Sequence, residues 1–136
     1  MKKKFIAEKK ELDNVIKFIN SEVEKDVDKK TLLKIDVVIE EIFVNIASYA
    51  YKQEENGFVD ISIKNENNKI IISFEDMGVP FNPLLKENPD ITLSAENREP
   101  GGLGIYMMKK MMDNVEYIYK DNKNILVIEK NIDMGE

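Results

Sequence analysis

One stretch constrains this chain more than any other: an amphipathic helical pattern that runs from Thr31 to Tyr51. Its apolar residues recur at steps of three and four and form a stripe along one face of a helix. The members of this stripe are Leu32, Ile35, Val38, Ile39, Ile42, Ile46 and Ala50. A single long helix is therefore predicted, with one face buried against the rest of the chain.

Two polar residues, Glu41 and Asn45, interrupt the same stretch one helical turn apart. Residues four positions apart lie on the same side of a helix, so both side chains can act on one object. Taken alone, the pair is explained most simply as part of a solvated polar stripe, because most such stripes face water. Two further motifs favour a functional site instead.

The composition limits what such a site can do. The chain has 136 residues, 43% of them apolar, which is enough for one domain (1–136) with its own core. It contains no histidine, so acid–base chemistry must use a carboxylate, a lysine or a tyrosine, and no cysteine, so thiolate chemistry and disulfides are excluded. The net charge of −6 and the scattered cations argue against nucleic acid as a partner. No apolar run could span a membrane, and a secretory signal is not expected. The absence of cysteine makes a cytoplasmic location the simplest expectation.

Periodic and alternating patterns predict the remaining elements. In chain order these are a strand at 3–8, a helix at 11–24, the long helix, strands at 58–64 and 69–76, a helix at 105–113, and strands at 115–120 and 124–132. A charged connection is predicted at 26–30, and turns at 65–68 and 121–123. Antiparallel hairpins with segregated helices indicate an α+β fold, a two-layer sandwich in which helices cover one face of a mixed, mostly antiparallel sheet.

Residues 77–100 show no periodic pattern and contain all four prolines together with the only arginine, Arg98. An irregular stretch of this length inside a compact domain is usually a functional lid or a disordered segment, and the glycines at both ends favour the lid. From such a lid Arg98 could reach a phosphate group. A solvent-exposed arginine is the alternative.

The first of the two further motifs, Asp76-Met-Gly78, ends a predicted strand. As a plain turn it needs no special explanation, because glycine tolerates positive φ and aspartate favours turns. As a site, the Asp76 carboxylate could accept a hydrogen bond from an exocyclic amine such as that of adenine, and Gly78 would let the ring approach the backbone closely.

The second motif, Gly101-Gly102-Leu103-Gly104, precedes a predicted helix. Closely spaced glycines expose backbone N–H groups, and the following helix N-terminus favours an anion. A hinge or a close packing contact is the alternative. Mg²⁺ often takes only one or two protein oxygens when phosphates and water supply the rest, which suits a single Asn45 side-chain oxygen. Glu41 could then orient or deprotonate a nucleophile near a terminal phosphate.

Together the three boxes resemble, in order and spacing, the Bergerat-type ATP site of gyrase, histidine kinases and mismatch-repair ATPases. The boxes are Glu41-Ile-Phe-Val-Asn45, Asp76-Met-Gly78-Val-Pro80 and Gly101-Gly-Leu-Gly104. Within that superfamily the chain most resembles the short anti-sigma-factor serine kinases of bacterial partner switching, through the segments VVIEEIFVNIASYAY and GGLGIYMMKKMMDNVEY.

The resemblance implies roles for individual residues, with ATP and Mg²⁺ as the ligands. Glu41 matches the catalytic base of the family and Asn45 its magnesium ligand. Asp76 matches the adenine-reading aspartate and Gly78 the glycine beside the base. The tetrapeptide 101–104 matches the phosphate loop.

Two positions depart from the family pattern. Tyr49 stands where members often carry histidine, just after the asparagine box, and this position lies past the metal ligand. Asn124-Ile125 stands on the last hairpin where members tend to have threonine or serine near the adenine. The second departure leaves one polar contact to adenine open.

The resemblance also implies an activity and partners. The chain would be a protein serine/threonine kinase that phosphorylates an anti-sigma antagonist and holds a sigma factor inactive; a homodimer is favoured, although the oligomeric state stays open. One alternative is an ATP-binding partner-switching module without significant kinase turnover. The other is a detached histidine-kinase ATPase domain, which would need a separate partner carrying the histidine.

Overall fold

The computed structural model describes residues 1–23, 27–51, 57–80 and 108–132. The helices and strands are β1 (Lys2–Ile6), α1 (Leu12–Glu22), α2 (Lys29–Asn45), β2 (Phe58–Glu66), β3 (Lys69–Asp76), β4 (Asn114–Lys120) and β5 (Lys123–Asn131). A 3₁₀ turn at Lys9–Glu11 precedes α1, a π-helical turn at Ile46–Ala50 follows α2, and residues 108–111 are helical. The predicted lid and the rest of the helix predicted at 105–113 lie mostly outside the described residues.

The five strands form one sheet in the order β1-β2-β3-β5-β4, and every neighbouring pair is antiparallel. Both predicted hairpins are therefore confirmed. The second hairpin joins the sheet through β5, so the beginning of β5 lies beside the end of β3 and Asn124 pairs with Asp76. This register brings together two residues that are far apart in the sequence.

The helices cover one face of this sheet, as the α+β two-layer prediction requires. Alternate residues of β2 and β3 are buried, which is the period of a strand with one covered face. Helix α2 contributes the largest helical share of the core through Ile35, Val38, Ile39, Ile42 and Phe43. Within the parts of the chain that the structure describes, no helix has the combination of length and apolar content that crossing a membrane requires.

Several element boundaries differ by a few residues from those predicted, and local geometry explains two of them, the start of α2 and the end of β2. Helix α2 begins at Lys29 rather than at Thr31, because the Asp28 carboxylate accepts a hydrogen bond of 2.7 Å from the Thr31 N–H and caps the helix. Strand β2 runs on to Glu66, because the turn consists of only Asn67 and Asn68, both with positive φ. Two left-handed residues in succession make the two-residue hairpin turn whose twist matches that of the strands.

Candidate nucleotide-binding site

Glu41 and Asn45 lie in the last turn of α2, where both side chains are partly buried. The Asn45 Nδ2 donates a hydrogen bond of 3.2 Å to Glu41 Oε1, which confirms that the two residues share one side of the helix. A carboxylate only accepts hydrogen bonds, so this contact fixes which end of the Asn45 amide faces Glu41. The amide oxygen of Asn45, the atom that could bind Mg²⁺, therefore points away from the carboxylate.

A π-helical turn follows immediately, from Ile46 to Ala50, and Tyr51 then takes an extended conformation. Single π-helical turns are rare and occur frequently at functional sites. Here the turn ends beside the loop that follows β3, because the Ala50 carbonyl accepts a hydrogen bond of 2.9 Å from the Val79 N–H. Since Ala50 comes one helical turn after Asn45, the loop lies about 5 Å further along the helix axis than the Glu41–Asn45 pair.

Asp76 is the last residue of β3, and its side chain is buried, with 6% exposed. Its Oδ1 accepts two hydrogen bonds, 2.9 Å from the Gly78 N–H and 3.0 Å from the Asn124 Nδ2. Burial raises the pKa of Asp76, and these two hydrogen bonds oppose the rise. Its other oxygen, Oδ2, has no hydrogen-bond partner among the described residues, so an acceptor remains for a ligand.

Gly78 is required for space. A Cβ at this position would lie 2.1 Å from the main-chain oxygen of Ala50 and 2.7 Å from the Ala50 Cβ. The φ of Gly78 lies outside the left-handed range, so the residue is not used for a backbone conformation that other residues avoid. The close backbone approach that the structure shows is thus between this loop and the end of the long helix.

Tyr51 ties the same loop to the sheet. Its hydroxyl donates a hydrogen bond of 2.7 Å to the Phe58 carbonyl at the start of β2 and accepts one of 2.8 Å from the Met77 N–H. Burial raises the pKa of Tyr51, so the phenol stays protonated and can continue to donate. No local sequence pattern marks this residue, because its partners lie in two other elements.

Asn124, at the beginning of β5, is the other functional candidate that sequence reasoning did not assign. Only two polar residues are buried in the part of the chain that the structure describes, and they are Asp76 and Asn124. The sequence signal was the departure from the family pattern at Asn124-Ile125, which marked the position without showing its contacts. The structure places Asn124 against Asp76, on the side away from the ligand acceptor.

The roles predicted for the remaining site residues stay predictions, because these residues lie outside the part of the chain that the structure describes. They are Arg98, Gly101, Gly102, Leu103 and Gly104. The structure thus describes the adenine side of the predicted site and the predicted metal and base residues. It brings Asp76 and Gly78 to the end of the helix that carries Glu41 and Asn45.

This architecture matches the fold of a known catalytic domain. The catalytic domain of the histidine kinase ThkA, in a nucleotide-free form, matches with a TM-score of 0.59 at 16% sequence identity, over 97% of this chain and 97% of that domain. The chain therefore has the α+β fold of histidine-kinase ATPase catalytic domains, which confirms the predicted Bergerat-type fold.

A family model described as a histidine kinase-like ATPase domain matches residues 5–130, so the chain belongs to that family. It is similar to the serine-protein kinase RsbW of Listeria monocytogenes serovar 1/2a, with 23% identity over 97 residues, 68% of this chain and 62% of that protein. It is also similar to RsbW of Bacillus thuringiensis strain Al Hakam, with 30% identity over 95 residues, 67% of this chain and 59% of that protein. The chain thus spans about three fifths of the length of these relatives. The resemblance seen in the sequence is confirmed at the level of the family.

Proposed function

We propose that this chain is an ATP- and Mg²⁺-dependent protein serine/threonine kinase that acts as an anti-sigma regulator by phosphorylating an anti-sigma antagonist. The observation that supports this most is the hydrogen-bonded connection between the Asp76 loop and the end of α2. This connection holds the buried Asp76 acceptor, which would bind a nucleobase, next to the helix that carries the Glu41–Asn45 pair for phosphate chemistry. The RsbW relatives, which are named as serine-protein kinases, support the same proposal.

In this proposal Asp76 recognises adenine. Its Oδ2 accepts a hydrogen bond from the exocyclic amine, while Oδ1 stays bonded within the protein. Guanine presents a carbonyl oxygen in place of that amine, and two acceptors facing each other repel. Because the group is buried, the unpaired acceptor would cost more than in water, so the site selects adenine nucleotides.

Asn45 binds Mg²⁺ through its amide oxygen in this proposal. Asn45 suits the ion because its amide nitrogen donates to Glu41, which leaves its amide oxygen facing away from Glu41 and available as a ligand. When bound, Mg²⁺ screens the negative charge of the phosphates, which is what phosphoryl transfer requires. The phosphate loop 101–104, and Arg98 if it reaches the γ-phosphate, would complete the anion site.

Glu41 acts as the base. Its Oε2 is not engaged by Asn45, which bonds to Oε1, and can accept the proton of a serine or threonine hydroxyl on the partner. The hydroxyl oxygen forms a bond to the γ-phosphorus as the bond to the bridging β,γ-oxygen breaks, and ADP leaves. A carboxylate suits this role in a chain without histidine.

The partners follow from the same proposal. The phosphoacceptor is an anti-sigma antagonist, the second partner is a sigma factor held by binding, and the kinase acts as a homodimer in the cytoplasm. An ATP-dependent partner switch without turnover would use the same site. Phosphoryl transfer, rather than nucleotide binding, distinguishes the two.

The first experiment measures ADP and GDP binding by calorimetry with and without Mg²⁺. We expect Mg²⁺-dependent binding of ADP over GDP, and a loss of at least tenfold in Asp76→Asn, because the amide nitrogen then faces the adenine amine. Glu75→Gln is the matched control, since this neighbour points to the other face of the sheet. Asn45→Ala should lose the effect of Mg²⁺ while retaining Mg²⁺-free binding. Equal affinity of the wild-type chain for ADP and GDP contradicts the proposal.

The second experiment follows transfer of the γ-phosphate of labelled ATP to purified candidate antagonists, with phosphoamino-acid analysis. Glu41→Gln keeps an oxygen for Asn45 but removes the base, so labelling should fall more than a hundredfold while ADP affinity changes little. Glu40→Gln is the matched control, because Glu40 is exposed on the same helix. Nucleotide binding without any transfer would support the partner-switching module, and acid-labile label would support the histidine-kinase alternative.

A further inference from the structure

The buried amide of Asn124 has a fixed orientation. Its Nδ2 lies 3.0 Å from Asp76 Oδ1 and 2.9 Å from the Val79 carbonyl oxygen, with the Gly78 carbonyl oxygen further away at 3.4 Å. A carboxylate and a carbonyl only accept hydrogen bonds, so the atom between them must be the amide nitrogen. The amide oxygen of Asn124 therefore faces the opposite way.

Tyr117 occupies that opposite side. Its hydroxyl donates a hydrogen bond to the Asn124 Oδ1 from the neighbouring strand β4. If the Asn124 amide rotated by half a turn, its oxygen would face the Asp76 carboxylate and both hydrogen bonds of the nitrogen would be lost. With the Asn124 nitrogen held by these acceptors, the Tyr117 hydroxyl bonds to the amide oxygen on the other side, and the tyrosine, the amide and the carboxylate form a series of hydrogen bonds across three strands.

The last hydrogen bond of this series, from Asn124 to Asp76, sets the orientation of the Asp76 carboxylate. Two donors, the Gly78 N–H and the Asn124 Nδ2, hold Oδ1 from different directions and fix the rotation of the carboxylate. We propose that Asn124, held in place by Tyr117, is a positioning residue that keeps Asp76 oriented with Oδ2 directed at the exocyclic amine of an adenine nucleotide. This inference rests on the proposed function of the site, to which it adds two residues.

A purely structural role for Asn124 is the competing explanation, because the amide also bonds to the Val79 carbonyl. The pH dependence of ADP affinity separates the two. Because Oδ1 already accepts two hydrogen bonds, a proton on Asp76 would reside on Oδ2 and oppose the adenine amine, so binding favours the ionised carboxylate. The bond from Asn124 stabilises that ionised form. Loss of that bond raises the pKa of Asp76, so affinity should begin to fall at a higher pH. A structural defect lowers affinity by the same factor at every pH.

The groups that face Asp76 allow this profile to be interpreted. Among the described residues they are Val59 opposite it on β2, Asn124 on β5 with Tyr117 behind it, and Tyr51 at the end of the long helix. The two tyrosines are the ionisable members, and phenols are uncharged in acid. Asp76 is then the member of this group that titrates in the acidic range. The titration of ADP itself is common to all variants.

The experiment compares ADP affinity between pH 5 and pH 8 in the wild-type chain, Asn124→Ala, Tyr117→Phe and the double variant. We expect a loss of about tenfold at neutral pH in Asn124→Ala and about threefold in Tyr117→Phe, as for one charge-assisted and one neutral hydrogen bond. Because Tyr117 acts through Asn124, its substitution should have no further effect in the Asn124→Ala background. The acidic fall in affinity should move to higher pH in both Asn124 variants.

Asn131→Ala and Tyr119→Phe are the controls, because both residues are exposed on the same two strands, and neither should change affinity. Wild-type affinity and an unchanged pH profile in Asn124→Ala would overturn this inference while leaving the proposed function intact. If Asn124→Ala does not fold, Tyr117→Phe decides, since it removes a single hydroxyl. A wild-type chain that does not bind ADP overturns the proposed function and this inference together.

Discussion

Replacing Gly78 by alanine tests whether the nucleotide loop is held in place by contact with the long helix. The new Cβ would lie 2.1 Å from the Ala50 oxygen, whereas real Cβ contacts essentially never fall below 3.0 Å, so the loop must withdraw by roughly 1 Å. The hydrogen bond from Val79 to Ala50 and the one from the Gly78 N–H to Asp76 would then be stretched beyond useful length. At about 0.5–1.5 kcal/mol each, their loss destabilises the fold by about 1–3 kcal/mol.

One effect offsets part of that loss. Alanine restricts the unfolded chain more than glycine does, which stabilises the folded state by about 0.4–1 kcal/mol when the backbone conformation suits it. The φ of Gly78 lies outside the left-handed range, so this term applies. The free energy of unfolding, measured by urea denaturation, should fall by a net amount of about 1–2 kcal/mol, and ADP affinity should fall with it.

Two further variants test whether the backbone contact causes the loss of stability and ADP affinity in Gly78→Ala. Met77→Ala changes a neighbouring side chain that is 63% exposed, and it should leave both quantities nearly unchanged. Adding Ala50→Gly to Gly78→Ala should restore little, because the nearest obstacle is the main-chain oxygen and not the Ala50 Cβ. Full recovery in that double variant, or wild-type stability in Gly78→Ala alone, would refute the reasoning.

Three other predictions follow from contacts described above. Tyr51→Phe removes both hydrogen bonds of the hydroxyl and should weaken ADP binding several-fold in calorimetry. Tyr49→Phe, at an exposed position, should not weaken binding, and equal effects of the two substitutions would exclude a specific role for Tyr51. Phe43→Ala empties a fully buried position and should lower the free energy of unfolding by about 3–5 kcal/mol, a far larger loss than Val37→Ala at the helix surface. Asp76→Asn should be at least as stable as the wild type at pH 7, because a carboxylate whose folded pKa is raised destabilises the fold above that pKa. This difference in the free energy of unfolding should disappear as pH falls through the raised pKa of folded Asp76 to its pKa in the unfolded chain. If urea titrations show Asp76→Asn to be less stable than the wild type by the same amount at pH 7 and pH 4, the reasoning is contradicted.

Much of the fold could be predicted because its signals are local. The alternation of Val59, Ile61 and Ile63 in β2 is the direct consequence of one buried sheet face, and the structure buries all three. The start of α2 depended on a side-chain hydrogen bond and the end of β2 on two left-handed turn residues, and a pattern of apolar residues contains neither. The Asp28 cap is of this kind, although aspartate three residues before the Thr31 N–H is itself a recognisable sequence signal.

The site was predictable only where its residues are close in the chain. Glu41 and Asn45 are one turn apart, so helical geometry alone places them together, as the structure shows. Asn124 meets Asp76 across 48 positions of sequence, and Tyr51 meets Met77 across 26. Those contacts depend on the strand order and register, which no local periodicity specifies.

The π-helical turn has a consequence for how this segment can vary. Its hydrogen-bonded ring is one residue larger than that of an α-helix, and this enlarged ring is what brings Ala50 and Tyr51 round to the loop. Removing any one residue between 46 and 50 would rotate everything that follows by about 100° and carry both attachments off the loop. The number of residues between Asn45 and Tyr51 is therefore fixed by these two attachments. We expect an alignment of active relatives to show no insertions or deletions within this segment.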